Sequence, residues 1–101
     1  MHKLMENIDQ RLVALLSRLA DGLDAAPGQR LRLEGLMEAA LLMDVATETE
    51  LRALLESRYR EAFGHALEDD LGEDWQSFFP FPQIPAMARR APVFPSTRDD
   101  L

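Results

Sequence analysis

The sequence predicts an all-α domain of three helices, an antiparallel hairpin plus a capped third helix, with an extended Pro- and aromatic-rich C-terminal arm packed across them. Three observations predict it. Apolar residues recur at helical spacing from Leu4 to Leu23, and Thr47-Glu-Thr-Glu50 carries a helix-start signal ahead of a second such face. Prolines at 80, 82, 85, 92 and 95 forbid a regular helix or a central strand through most of the last quarter of the chain. A length of 101 residues suits one modest core, so residues 1–74 are read as an acidic helical part and 75–101 as an arm of the same domain.

In the first helix Leu4, Ile8, Leu12, Leu15, Leu19 and Leu23 form one stripe, widened by Met5 and Leu16, while Lys3, Glu6, Asp9, Arg11, Arg18 and Asp21 solvate the other side. Ala25-Ala-Pro27-Gly28 is expected to end it, since proline disfavours helix in its predecessor and glycine accepts a left-handed turn. The second helix is expected over about residues 30–45. It is apolar nearly all round from Leu36 to Ala46, with only Glu38 and Asp44 charged. A helix of that kind should lie between its two sister helices and a further cover, either the arm or a second subunit, so a homodimer is expected rather than a monomer. The third helix starts at the Thr47 box and buries Leu51, Leu54, Leu55, Tyr59, Ala62 and Phe63. It either runs past Gly64 or breaks there and restarts, with Gly72 as its end.

The arm carries Trp75, Phe78, Phe79, Phe81 and Ile84. Burying each contributes about 1.5–3 kcal/mol, against roughly 1–2 kcal/mol for ordering each backbone residue, so the stretch needs a groove in its own chain or in another. Before it stand six acids between Glu61 and Asp74, at 61, 68, 69, 70, 73 and 74, with no lysine or arginine.

Charge and composition narrow the function. A formal charge of −7 opposes direct binding to nucleic acid or an anionic membrane and favours a basic partner. The chain has no cysteine, which removes disulfides and thiolate chemistry and, with an N-terminus unlike a secretory signal, points to a cytoplasmic home. The second and third helices superficially resemble a helix-turn-helix, but the second of the pair is net acidic and should not face phosphates. Glu61, His65 and Asp69 stand four apart and on a continuous helix would align as a cation site; the plainer reading is a surface histidine flanked by acids, so no metal and no cofactor are expected. Ser17, Ser57, Ser77 and Ser96 lack a nucleophile context, and no catalytic residue or enzyme activity is expected.

The function expected is therefore that of a small regulatory module binding another protein, for example an antiactivator or inhibitor covering the dimerisation or basic surface of a DNA-binding regulator. Trp75, Phe78, Phe79, Phe81, Ile84, Glu68, Asp69 and Asp70 are its expected partner-binding residues. One alternative is a self-assembling homodimer with no further ligand. Another is a nucleic-acid mimic built on the acidic run.

Overall fold

The computed structural model describes residues 2–77 and Ile84. Within them every regular element is helical: α1 (Lys3–Ala20), α2 (Pro27–Leu42), α3 (Glu48–Phe63), the single turn-and-a-half α4 (Leu67–Leu71) and a 3-10 turn (Glu73–Ser77). No described helix is long and apolar enough to cross a membrane.

Local chemistry sets each boundary. The Nδ1 of His2 accepts from the Leu4 amide at 3.0 Å and caps α1. The far end closes two turns earlier than the Pro27-Gly28 pair suggests. Gly22 takes a φ of 84°, the Leu23 amide donates to the Arg18 carbonyl (2.9 Å) and the Gly22 amide to that of Leu19 (3.1 Å). Those two bonds make the paired turn that satisfies the last carbonyls of a helix. Pro27 is then free to open α2, where its missing amide costs nothing. The second helix consequently starts and ends about three residues before its expected span. It ends by the same device as α1, with Asp44 at φ 56° in place of glycine and the Val45 amide on the Ala40 carbonyl at 2.8 Å.

At α3 the capping box is formed as its residues predict: Thr47 Oγ1 accepts from the Glu50 amide (3.1 Å), and Glu50 Oε1 accepts from the Thr47 amide (2.8 Å). Thr47→Ala is expected to lower stability by about 1 kcal/mol, read as a lower denaturant midpoint at unchanged slope. The open question at Gly64 resolves as a break, because Gly64 adopts φ 83° and the chain restarts at α4.

The core joins Ile8, Leu12, Leu15, Leu16 and Leu19 of α1 to Leu33, Met37 and Ala40 of α2 and to Leu51, Leu55 and Tyr59 of α3, with Ala46, Leu67, Trp75 and Ile84. Five of these residues come from α1, and α1 packs against both α2 and α3. This corrects the expectation for α2. The central helix is α1, and α2 buries a single face, leaving Leu31 and Leu42 65% and 86% exposed and Met43, just past its end, 66% exposed. Arg58 ties the two helices flanking the core's other side: its Nε and Nη2 donate to the two carboxylate oxygens of Asp9 at 2.7 Å each, and Nη1 reaches Glu61 at 3.0 Å. The hydrogen bonds to Asp9, then to Glu61, push the Arg58 pKa up and hold the guanidinium charged.

Of the arm, Trp75 and Ile84 are described. Trp75 does not begin an extended stretch; it sits inside the 3-10 turn, which Ser77 closes by donating its hydroxyl to the Asp74 carbonyl at 2.7 Å. The first proline comes only at 80, so nothing in residues 75–77 opposes a turn. Ile84 is buried as part of the core and lines, with Leu15, Leu19, Asp24, Ala25, Pro27 and Arg30, a groove between α1 and the start of α2. Phe78, Phe79 and Phe81 lie outside the described residues.

Candidate functional site

Of the residues singled out for partner binding, Glu68, Asp69, Asp70 and Trp75 meet at the corner where α3 hands over to α4 and the 3-10 turn. Its foundation is aromatic. Tyr59, fully buried on α3, stacks on Phe63 one turn later with ring centroids 4.2 Å apart and planes 15° from parallel, and both rings meet the edge of His65. The left-handed Gly64 turns the chain so that His65 comes back over this pair.

Asp70 then locks α4 down. Its Oδ2 accepts from the Tyr59 hydroxyl and lies 2.7 Å from His65 Nε2, so one carboxylate oxygen joins a residue of α3, a residue of the turn and α4 itself. The half-buried Asp70 side chain is 16% exposed. Two apolar anchors flank it: Leu67 at the start of α4 and Trp75 in the 3-10 turn, the latter 1% exposed. A five-residue helix has no stability of its own, so α4 stays in place through Leu67, Asp70 and the turn that follows.

This arrangement sorts the acidic run. Glu68, Asp69, Glu73 and Asp74 are exposed, whereas Asp70 points inward and is committed to Tyr59 and His65. Of the expected binding residues, Glu68 and Asp69 are thus on the surface, Asp70 braces it from below, and Trp75 and Ile84 are core residues of this chain. The cation alignment of Glu61, His65 and Asp69 does not form. The break at Gly64 takes His65 off the line of α3, where it faces Asp70, and Glu61 is engaged by Arg58. No group of three histidine or acidic side chains suited to a metal occurs among the described residues.

One feature of the structure is absent from the sequence pattern and another is only partly legible in it. The Tyr59–Asp70–His65 cluster left no local signal, because its carboxylate and phenol are eleven residues apart across a helix break. The outward apolar line of α2 was visible as surplus apolar circumference, and only its position relative to α1 decided that it stayed exposed. Comparison of the chain with family models, with curated proteins and with solved structures finds no match.

Proposed function

We propose that this chain is a small acidic protein-binding module with a regulatory outcome, covering the basic or dimerisation surface of another protein. The observation that supports it best is the braced corner, where Glu68, Asp69, Glu73 and Asp74 project from a backbone held by Leu67, Trp75 and the Asp70 hydrogen bonds. Charges held on an ordered support lose little conformational freedom on docking, and a set of one sign steers and selects a partner of the other. Phe78, Phe79 and Phe81 follow the corner in sequence and supply the apolar anchors that such a contact needs. Trp75 serves the partner indirectly, by fixing the acids.

The test begins with a protein captured from the source cells and purified. Replacing the four acids together (Glu68→Gln, Asp69→Asn, Glu73→Gln, Asp74→Asn) should weaken its binding by about tenfold or more at low salt, and should flatten the salt dependence seen with the unaltered chain. Helix content should not change. Equal affinity and equal salt dependence in the neutralised chain would refute the acidic corner as the docking surface.

A further inference from the structure

The groove between α1 and the start of α2 already takes one residue of the arm. Leu15 and Leu19, in the last two turns of α1, are 3% and 4% exposed, although the other wall of the groove offers only the short Ala25 and Pro27 beside Arg30. Ile84 belongs to the same core cluster and lines the groove with them. The cleft encloses about 680 Å³, the size of a small-ligand pocket and well beyond the needs of one isoleucine. At its margin stand two polar side chains, Asp24 and Arg30, the latter paired with Glu34 at 2.7 Å.

The sequence around Ile84 leaves the backbone little choice. Prolines stand at 80, 82 and 85, and Phe79, Phe81 and Ile84 each precede one. A proline fixes its own φ, and the residue before it is pushed to extended or polyproline II geometry. From 79 to 85 only Gln83 escapes both constraints. Polyproline II turns once in about three residues and rises about 3.1 Å per residue. Phe81 and Ile84 therefore share one edge about 9 Å apart, while Phe79 shares another with Pro82 and Pro85. A segment so constrained has given up much of its freedom before it docks. Reach is sufficient: Arg58, Glu61 and Ala62 of α3 share a surface cleft with Val13, Leu16 and Ser17 of α1, at the same end of the bundle as the groove. From Ser77 to Ile84 the chain can span about 22 Å in this geometry.

We infer that the α1/α2 groove is a seat for a polyproline II segment, and that its occupant is this chain's own residues 79–85, with Phe81 entering beside Ile84. Leu15, Leu19, Ala25 and Pro27 form the apolar bed. Asp24 and Arg30 suit the backbone amides and carbonyls that polyproline II leaves without internal hydrogen bonds. The seat covers Phe81 in the free chain and leaves Phe79 on another edge. A partner that takes Phe81 as an anchor must lift Ile84 as well, which sets a threshold on docking. That consequence rests on the docking surface proposed above, whereas the seat itself does not.

The test uses the full chain alone. In isotope-edited NMR spectra, the Ile84 methyls and the Phe81 ring should both show contacts to the methyls of Leu15 and Leu19. A synthetic peptide of residues 78–91 should bind the full-length Ile84→Asp chain, whose groove has lost its anchor, and should shift those leucine methyls. The unaltered chain should take the same peptide roughly tenfold to a hundredfold less tightly, because its own Ile84 must leave first. A peptide carrying Ile84→Asp should bind neither chain. Far-UV circular dichroism checks that the variant chain is folded, and Ile84→Ala replaces it if it is not. Absence of Phe81 contacts in the unaltered chain overturns the shared seat. Equal affinity of the peptide for the two chains, or none for either, overturns the groove as a peptide site. In a mixture of labelled and unlabelled chains, contacts between copies in place of contacts within one would give the groove to a second molecule's arm and overturn the occupant. None of these measurements uses the corner's partner, so a failure here is separable from a failure of the docking surface.

Discussion

Truncating Trp75 to alanine is expected to destabilise the fold by about 3–5 kcal/mol, a shift of some 15 °C or more in melting temperature for a domain of this size. The indole is 1% exposed, yet it belongs to a five-residue 3-10 turn that follows an equally short helix. Neither segment holds itself together. With the ring gone, the core loses its largest side chain, and the 3-10 turn loses its sole buried residue among those described. The effect should spread upstream in order. Amide protection at residues 67–77 should fall first, because α4 is then held only by its own short set of anchors, Leu67, Asp70 and the partly buried Leu71. Amides in α1 and the middle of α3 should follow only on global unfolding. Trp75→Phe keeps an aromatic group in the site and should cost about 1–2 kcal/mol. Since Trp75 is the one tryptophan in the chain, stability must be followed by circular dichroism, and in the unaltered protein its fluorescence reports this corner directly. A loss below about 1 kcal/mol for Trp75→Ala would show that the ring packs against nothing that matters.

What could be read from the residues was whatever a single turn or a single face decides. The stripe of α1 was legible because period and burial coincide: Ile8, Leu12, Leu15, Leu16 and Leu19 are all core residues. Thr47 and Glu50 were legible because a capping box is closed within four residues. Pro27 was misread for a physical reason. A proline suits the first turn of a helix as well as the space after one, and only the Gly22 turn, which had already ended α1, assigns it to α2. The environment of α2 was beyond reach in a different way. Its composition says how much apolar surface it has, and the placement of α1 decides which part is covered. Asp70 shows the same limit at the candidate site. It is the third of three consecutive acids, and nothing in Glu-Asp-Asp says which one turns inward; the left-handed turn at Gly64 and the buried Tyr59 make that choice. The Arg58–Asp9 fork spans 49 residues and has no local trace at all.

The correction to the packing order carries the second large effect. Leu12 and Leu42 are the same residue type on neighbouring helices, one fully buried and the other 86% exposed. If α1 is the central element, Leu12→Ala removes a side chain enclosed among residues of α2 and α3 together and should cost about 2–5 kcal/mol, with the larger figure if the surrounding leucines cannot close the gap. Leu42→Ala removes a side chain already in water and should change the stability of the single chain by less than about 0.5 kcal/mol. Were α2 the sandwiched helix, the two values would be comparable. Denaturant unfolding measures both. A deficit at Leu12 several times that at Leu42 would show that the chain folds around α1, because only the helix enclosed on both sides loses core packing when one of its leucines is shortened.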